Sequence, residues 1–581
     1  MYSPLPDFNM LHGVYIRPTE ENGFNDAIVA AIKNVKTNEH KLHVIRNPMF
    51  EYWVTKPQFR HQNIRLECER LERLEQHVCK YKELWDSVGK ALGIYKRTFN
   101  NNIQKADPHV YGVDVGPLIR MKIEYMQNVN DVIPKLDIGM LDIETSVIPE
   151  FDNQILCASY TDWSTRTTFE FINKPWCNVD ESVLRARLEQ ETEPFVEGLN
   201  EKAKKAWDAN PHKFEFVFCE NERELIIHLI RSVVIHKPDL CGVWNIAFDI
   251  PFIEERAKFN QIPLEQLFCH PDVPKDLRFF HWKQDTKPVE HFTDVWHQVE
   301  VPGYTRWYDP MCLYSRLRKV QGRENFYTLE YIGQKIIGSG KIKFGVNKTH
   351  TDMQLHDQVG YCVYNCFDTV LPCLIDAVTG DTTSMMILVG ISEISEYSKQ
   401  TVMLKNNWFN YCRSSINSIS GSIVAPSSMS QEWDKFLANI GGAVLSPNLL
   451  EVKGTRHLKE MSAETSIEML VNDIDAASLY PSIQMSTNLS RESRFASVLW
   501  LEGCPYTLKE LNDLWEQSQK EKDSKQRTYL KNCYKEAVMA NTIFIEKFFG
   551  LYFTPEENAV QVCKDMFNFP DFDDMDKIVL N

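Results

Sequence analysis

Hydrophobic and polar positions along this chain follow two different periods. From Lys135 to about Ala377, strand-like segments such as GMLDIETSV and LCGVWNIAFD alternate with amphipathic helical ones such as ERELIIHLIRSVVIH. Alternation of strands with helices is typical of an α/β layer. The pattern therefore predicts a well-defined α/β domain in the middle of the chain.

Regions with a different pattern flank this layer. Residues 1–135 combine strand-like segments, GVYIRP and KLHVIRN, with a charged helical stretch from about Ile64 to Leu92, which predicts an N-terminal α+β domain. After the Gly/Thr/Ser-rich VTGDTTS comes a helical region, then the strand-like MLVNDIDAASLYPSI and a long charged helix from Thr507 to about Ala540. We therefore expect domains at 1–135, 136–380 and 381–581.

Composition supports an ordered chain of several domains. The 581 residues are too many for one hydrophobic core, and 43% of them are hydrophobic, which is enough apolar surface to fold nearly all of the chain. The N-terminus lacks a basic region followed by an apolar run, and we expect no membrane span and no secretion.

The cysteines and the net charge narrow the class of protein further. The 15 cysteines are scattered singly, and the closest pair, Cys362 and Cys366, has no second pair beside it in sequence to complete a zinc site. We expect reduced core cysteines in a cytosolic protein. A net charge of −16 argues against a protein that coats nucleic acid by bulk electrostatics, but it does not exclude a nucleic-acid enzyme, because a metal-dependent site is itself a cluster of carboxylates.

Three short segments carry acids in positions that suit metal binding. On the strand LDIETS, Asp142 and Glu144 point to the same face because strand side chains alternate. In VWNIAFDIPFIEERAKF, a buried strand ends near Asn245 and a helix opens around Asp249. Tyr364 and Asp368 share one face of a predicted helix at i and i+4.

Each segment alone has a plainer interpretation. The pattern of Asp142 and Glu144 is also that of two solvent-facing acids on an edge strand, and the position of Asp249 is also that of a helix cap. The spacing of Tyr364 and Asp368 is also that of a buried tyrosine hydrogen-bonded to an acid on the same helix. The order of the segments favours the alternative in which four carboxylates converge on two divalent cations about 4 Å apart, and such hard oxygen ligands suit Mg²⁺ or Mn²⁺.

The segments resemble the three exonuclease motifs of the DEDDy group, found in family B DNA polymerases, in the right order. The resemblance implies an RNase H-like mixed-sheet domain with 3'-to-5' exonuclease activity and two ions per active site. It assigns the metals to Asp142, Glu144, Asp249 and Asp368, and orientation of the attacking water to Tyr364. It also assigns contacts with a single-stranded DNA 3' end to Asn245 and Phe248.

The segment VEVPGYTRWYDPMCLYSRL, between the second and third motifs, resembles the hairpin-containing segment of T-even phage polymerases. Asp309 lies within it. We expect a surface or capping role for Asp309, with support of the metal-binding acids as the alternative.

Residues 475–483, DAASLYPSI, resemble motif A of family B DNA polymerases. The resemblance implies the first half of a family B palm, with Asp475 as a catalytic ligand of both polymerase metals. Ser478, Leu479 and Tyr480 would contact the incoming deoxynucleoside triphosphate, and Tyr480 would exclude a 2'-hydroxyl. The nearby Asp473 is expected to be structural.

Gly441 and Gly442 precede AVLSP much as a Gly-Gly element precedes motif A in this family, where it contacts the template. Asn439 and Ile440 stand where a tyrosine is often found, and a plain glycine turn explains the two glycines equally well.

Two polymerase motifs are not found in these residues: the fingers motif K-x-x-x-N-S-x-Y-G and motif C, D-T-D-S, which supplies the second polymerase metal ligand. With Asp475 alone, the chain is not expected to hold both polymerase cations. The expected partner is a C-terminal polymerase subunit with fingers, the remaining palm and thumb.

The main hypothesis is thus the N-terminal subunit of a split family B DNA polymerase: proofreading by this chain, and synthesis after assembly. It implies binding of primer-template DNA and dNTPs, a sliding clamp reached through the partner, and the cytoplasm of an infected host cell. The alternatives are a stand-alone 3'-to-5' DNA exonuclease and an inactive DNA-binding or regulatory remnant.

Overall fold

The computed structural model describes residues 2–60, 68–93, 107, 109–286, 289, 291–343, 349–421, 508–521 and 523–537. The chain divides into two compact units. The first comprises Met1–Phe50, Val78–Leu84 and Val115–Tyr411, and the second comprises Glu51–His77, Trp85–Asp114 and Cys412–Asn581.

In chain order, the strands of the described residues are β1 (Phe8–Ile16), β2 (Ala27–Asn34), β3 (His40–Arg46), β4 (Met49–Thr55), β5 (Cys68–Arg70), β6 (Leu74–Lys80), β7 (Val110–Tyr111), β8 (Ile138–Thr145), β9 (Ile155–Asp162), β10 (Thr167–Asn173), β11 (Lys213–Cys219), β12 (Leu240–Val243), β13 (His281–Lys283), β14 (Gln298–Glu300), β15 (Arg306–Tyr308) and β16 (Ser418–Ser420).

The α-helices with both ends among the described residues are α1 (Leu84–Ala91), α2 (Pro117–Asn128), α3 (Glu181–Gly198), α4 (Glu201–Asp208), α5 (Glu222–His236), α6 (Ile246–Phe259), α7 (Leu264–Phe268), α8 (Pro310–Leu317), α9 (Leu329–Ile337), α10 (His350–His356), α11 (Gln358–Thr379), α12 (Asp381–Val389), α13 (Gln400–Ser415) and α14 (Leu508–Lys520).

A six-stranded mixed sheet forms the centre of the first unit, in the order β11-β10-β9-β8-β12-β15. Strand β9 runs antiparallel to both of its neighbours, β8 and β10, whereas β12 is parallel to β8, β15 is parallel to β12, and β11 is parallel to β10. This central mixed sheet fits the RNase H-like exonuclease domain that the sequence predicts.

The two faces of this sheet are covered by different helices, because alternate residues of β8 point in opposite directions. Leu141 and Ile143 pack with residues of α5 and α6 on one face. Met140 packs with residues of α11 on the other. Asp142 and Glu144 also face α11, since their carboxylates accept hydrogen bonds from Asn365 and Tyr361 of that helix.

Helix α11 is the central helix of the first unit. Its residues from Gly360 to Ile375 are all buried, and Gly380 ends it in a left-handed conformation with φ 68°, which glycine adopts without strain. The helix is long and apolar enough to cross a membrane, but 78% of its most apolar window is buried inside the fold, as in the core helix of a soluble protein.

The N-terminal strands form their own sheet in the first unit. Strands β1, β2 and β3 pair antiparallel, and α2 packs on them through Met121 and Tyr125 against Phe8, Met10 and Ile28. The strand-like segments GVYIRP and KLHVIRN fall in β1 and β3.

The prediction of a charged helix from Ile64 to Leu92 is wrong for most of the described residues of that range. Residues 68–80 contain β5 and β6, and among the described residues of the range only α1 is an α-helix. Strand β5 pairs with β16, and β6 joins a three-stranded sheet in the order β6-β4-β7. Hydrogen bonding with these partner strands overrides the helical preference of the Glu, Arg and Leu residues there.

The predicted long helix from Thr507 to Ala540 is interrupted. Helix α14 ends at Lys520, and helical structure resumes over residues 524–537. Other expectations for residues 422–507 and 538–581 lie outside the described residues.

Candidate metal centre

Carboxylates from two of the three acidic sequence segments meet at the face of the central sheet that α11 covers. Asp142 and Glu144 lie on β8, and Asp368 lies on α11. One carboxylate oxygen from each of the three lies within 4.8 Å of the others. The strand and the helix therefore bring the first and third acidic segments together.

Asp249 belongs to the same neighbourhood but stands outside this tight group. It lies in the first turn of α6, and its Oδ1 accepts a hydrogen bond of 3.4 Å from the backbone amide of Ile143 on β8. That amide belongs to the residue between Asp142 and Glu144. Asp249 is 3% exposed, so its carboxylate is turned into the fold rather than into solvent.

Side chains of α11 hold two of the acids. The Tyr361 hydroxyl donates a 2.5 Å hydrogen bond to Glu144 Oε2, and Asn365 Nδ2 donates one of 2.7 Å to Asp142 Oδ2. Such hydrogen bonds to carboxylates fix the orientation of the oxygen atoms. Helix α11 thus supplies one acid of the group and orients the other two.

A lysine enters the cluster from the segment before α10. Lys341 Nζ donates hydrogen bonds of 2.6 Å to Asp368 Oδ2 and 2.8 Å to the Tyr364 hydroxyl. Burial alone lowers the pKa of Lys341, but the negative charge of Asp368 and its neighbours outweighs burial and leaves that pKa raised. The side chain is therefore an ammonium group directed at the acids.

The acids strongly disfavour simultaneous ionisation. Burial raises the pKa of Asp142 well above its usual range, and neighbouring carboxylates, chiefly Asp368, raise it further. Burial and the charge of Asp368 raise the pKa of Glu144 to about 7. Burial is also the main cause of the raised pKa values of Asp249 and Asp368. Clustered acids with such shifts are typical of functional sites.

The donor set fits hard divalent cations. All of the close ligands are carboxylate oxygens, and Asp368 Oδ1 is buried without a hydrogen-bond partner among the described residues. Cations that prefer oxygen ligands, such as Mg²⁺ and Mn²⁺, relieve both the unpaired oxygen and the mutual repulsion of the acids.

The residues assigned to the DNA end lie at the start of α6. Asn245 is the N-cap of this helix, in a left-handed conformation with φ 68°. Phe248 is 50% exposed although its ring is large and apolar, and it stacks on Phe252 with ring centroids 6.0 Å apart. An exposed aromatic ring of this kind suits stacking with an unpaired base.

Asp309 has a capping role, as expected, but it is buried rather than at the surface. It is 4% exposed, and its Oδ1 accepts hydrogen bonds from Met311 and Cys312 at the start of α8. Its two carboxylate oxygens also accept from the backbone amides of Asn245 and Ile246. One side chain therefore caps α8 and fixes the entry into α6, the helix that carries Asp249.

Three residues of the site were missed by sequence reasoning. Tyr361 and Asn365 follow the same helical spacing as Tyr364 and Asp368, so a polar stripe on an otherwise apolar helix could have revealed them. Nothing in the sequence singles out Lys341, because it lies in an irregular segment whose contact with Asp368 depends on the fold.

The residues that resemble polymerase motif A and the Gly-Gly element are not part of the described structure. Asp475, Ser478, Leu479 and Tyr480, together with Gly441 and Gly442, lie outside the described residues. Their roles remain predictions from the sequence.

Comparison with known protein families supports an exonuclease domain in the first unit. Residues 100–282 match the family model of the DNA polymerase family B exonuclease domain. The match includes Asp142, Glu144 and Asp249, whereas Asp368 lies beyond it. It supports an exonuclease domain of the family B type within these residues, and with it nuclease activity. No curated protein sequence matches the chain.

Proposed function

We propose that this chain is a metal-dependent 3'-to-5' DNA exonuclease that removes nucleotides from single-stranded 3' ends and proofreads for a DNA polymerase. The observation that carries the proposal is the convergence of Asp142, Glu144 and Asp368 beside Asp249. Three of these four acids lie within residues 100–282, which match the family B exonuclease model, and Asp368 lies beyond them. A helix cap or a solvent-facing pair of acids does not require this convergence.

Phosphodiester cleavage requires a nucleophile, stabilisation of a leaving oxygen and a positioned substrate. Divalent cations held by the four acids would lower the pKa of a bound water and stabilise the departing 3'-oxygen. Tyr364 stands beside Asp368 on α11, where its hydroxyl can orient the attacking water. The Lys341 ammonium adds positive charge where a phosphate group would approach.

The DNA end would be held at the start of α6. Phe248 offers an exposed ring for stacking with an unpaired base, and Asn245 offers hydrogen-bonding groups at the same helix terminus. Base stacking does not depend on sequence, which suits an enzyme that must accept any 3'-terminal nucleotide.

The decisive experiment follows the length of a 5'-labelled single-stranded oligonucleotide with Mg²⁺ on a denaturing gel. We expect progressive shortening, with a loss of about three orders of magnitude in Asp142→Ala/Glu144→Ala, because the metal ligands supply several kcal/mol of transition-state stabilisation. A matched control is Glu189→Ala/Glu193→Ala, which removes two exposed acids of α3.

Two results would contradict the exonuclease. One is an unchanged oligonucleotide with the wild-type chain in Mg²⁺ and in Mn²⁺. The other is equal shortening by the wild type and by Asp142→Ala/Glu144→Ala, since the activity would then come from another site or a contaminant.

A role in DNA synthesis is a second proposal and rests on the motif A resemblance of residues 475–483 alone. We propose that Asp475 binds the polymerase metals only after assembly with a C-terminal polymerase chain that supplies the second acid. A phage replisome in the cytoplasm of an infected bacterium, with a clamp contacted through the partner, is the setting that the T-even resemblance suggests.

Primer extension tests this second proposal. Extension by a co-purified C-terminal chain together with this one, lost in Asp475→Ala, is the expected result. Failure of the two chains to associate in size-exclusion chromatography would overturn the split-polymerase proposal and leave a stand-alone exonuclease.

A further inference from the structure

A second cluster of metal-ligating groups lies beside the carboxylate centre, beneath α11. It consists of Cys157 on β9, Glu170 on β10 and Cys362 on α11, all of them fully buried. One ligand atom of each lies within 4.8 Å of the other two. Two further thiols adjoin the group: the nearby Cys362 thiol raises the pKa of Cys177, and Cys366 Sγ lies 3.5 Å from Glu170 Oε2.

The register of the sheet explains why these groups meet. Cys157 pairs with Glu144 across β8 and β9, and Glu170 pairs with Ser159 across β9 and β10. Cross-strand partners point to the same face, as do alternate residues of one strand. Cys157 and Glu170 therefore share the sheet face of the exonuclease acids, and α11 brings Cys362 down onto them.

Glu170 is the feature that an ordinary hydrophobic core does not explain. Its carboxyl group is 0% exposed, forms no ion pair among the described residues, and has an oxygen, Oε1, without a hydrogen-bond partner there. A buried carboxyl group without a cation or full hydrogen bonding is costly. Its other oxygen faces thiols, which are weak donors when protonated and strong metal ligands when ionised.

We propose that Cys157, Cys362 and Glu170 bind a structural zinc ion, with Cys177 as the adjacent fourth donor. Thiolate and carboxylate ligands in a closed, buried site are the donors that zinc accepts in structural centres. Zinc–sulfur bonds of about 2.3 Å place tetrahedral ligands about 3.8 Å apart, so the ligand atoms must draw together by about 1 Å at most.

This centre differs in chemistry from the exonuclease centre. The exonuclease acids offer oxygen atoms alone, which suit Mg²⁺ or Mn²⁺, whereas thiolates select softer cations. A zinc ion here would cross-link β9 and β10 to α11, the helix that presents Tyr364 and Asp368. Its role would be to fix α11 against the sheet rather than to take part in hydrolysis.

The test uses the full chain in the Asp142→Ala/Glu144→Ala background, which removes two oxygen ligands of the exonuclease centre. The zinc content of the purified protein is measured by inductively coupled plasma mass spectrometry. We expect one zinc per chain, reduced at least tenfold in Cys157→Ala/Cys362→Ala and in Glu170→Gln. Cys241→Ala/Cys373→Ala, which removes two buried cysteines outside the cluster, is the matched control and should keep its zinc.

A spectroscopic measurement keeps the proposal testable where a variant does not fold. The chelator-treated chain is titrated with Co²⁺, and thiolate ligation gives a sulfur-to-cobalt charge-transfer absorption in the near ultraviolet that carboxylates do not produce. Appearance of this band at one cobalt per chain supports the site. A purified chain without zinc and without a cobalt–thiolate band overturns the proposal, and so does a band that persists unchanged in Cys157→Ala/Cys362→Ala.

Discussion

At the residue scale, the acids of the candidate metal centre are held in place by neighbours that bind no metal themselves. Tyr361 and Asn365 donate hydrogen bonds to Glu144 and Asp142, and Lys341 donates to Asp368. Orientation of this kind matters because carboxylates must present particular oxygens to a cation before it binds.

The substitution Tyr361→Phe tests the importance of this orientation. It removes the hydroxyl that holds Glu144. We expect the Mg²⁺ concentration for half-maximal exonuclease activity to rise roughly 10–100-fold, because loss of a hydrogen bond that orients a metal ligand typically weakens metal binding by that factor. Tyr308→Phe is the control, since it removes the hydroxyl of another buried tyrosine, bonded to Thr382. Equal Mg²⁺ requirements for both variants would contradict the orienting role.

The buried side chain of His12 is expected to make the stability of the first unit depend on pH. His12 is 2% exposed, its Nε2 lies 2.9 Å from the carbonyl oxygen of Tyr304, and burial together with Arg306 lowers its pKa from 6.5 to about 3. The unfolded chain therefore takes up the proton first as pH falls. The stabilisation is fully present above pH 6.5 and is lost progressively as pH falls towards 3.

We expect the free energy of unfolding of the wild type to fall by about 1.4 kcal/mol per pH unit in this window from His12 alone. His12→Gln should remove that part of the dependence, measured as the difference between thermal melts at pH 7 and pH 5. His228→Gln, at an exposed position on α5, should keep the wild-type dependence. Identical pH profiles for the wild type and His12→Gln would refute the assignment.

At the element scale, the candidate site depends on how α6 and α11 are positioned against the central sheet. Helix α11 places Tyr361, Tyr364, Asn365 and Asp368 on one stripe because they recur at three- and four-residue intervals. Helix α6 places Asp249 against the backbone of β8, and its first amides are fixed by Asp309. The geometry of the candidate metal centre therefore depends on where α6 begins as well as on the acids themselves.

Asp309→Ala should lower both stability and activity. It removes the cap of α8 and the acceptor for the amides of Asn245 and Ile246, and loss of a cap costs about 0.5–2 kcal/mol. We also expect at least a tenfold decrease in the exonuclease kcat, because α6 would shift Asp249.

Asp180→Ala is the matched control for this prediction. Asp180 caps α3 by accepting a hydrogen bond from the backbone amide of Ser182, and it contributes nothing to the entry of α6. Its loss should lower stability in the same range without changing kcat. An unchanged kcat in Asp309→Ala would show that the cap does not position Asp249.

At the scale of the whole molecule, the first unit joins the N-terminal sheet to the central sheet through buried charge. Lys33 on β2 is 0% exposed, and its Nζ lies 2.7 Å from both Asp137 and Asp239, which precede β8 and β12. Asp239 is 1% exposed. Two strands that lead into the site thus share one lysine from the N-terminal sheet.

Lys33→Met should destabilise the first unit by about 3–5 kcal/mol, because it leaves a buried carboxylate without its cation. Lys36→Met is the matched control, since Lys36 pairs with Asp7 at the surface, where an ion pair contributes about 0–1 kcal/mol. Hydrogen exchange should show faster exchange in both sheets of Lys33→Met. Faster exchange confined to β1, β2 and β3 would contradict the coupling.

The sequence by itself determined the residue types of the site and the elements that carry them. Strand alternation placed Asp142 and Glu144 on one face, and helical periodicity placed Tyr364 beside Asp368, because both periods are local properties of the backbone. The alternation of strands and helices also predicted the central α/β layer, and the structure confirms its mixed sheet.

Only the tertiary structure decided which distant groups meet. It converted the predicted helix around residues 68–80 into strands, because β5 pairs with β16 far along the chain and β6 pairs with β4. It also brought Lys341 to Asp368, Asp309 to the start of α6, and Cys157 to Cys362. Such contacts depend on the packing of whole elements, and the local pattern of hydrophobic and polar positions carries no information about them.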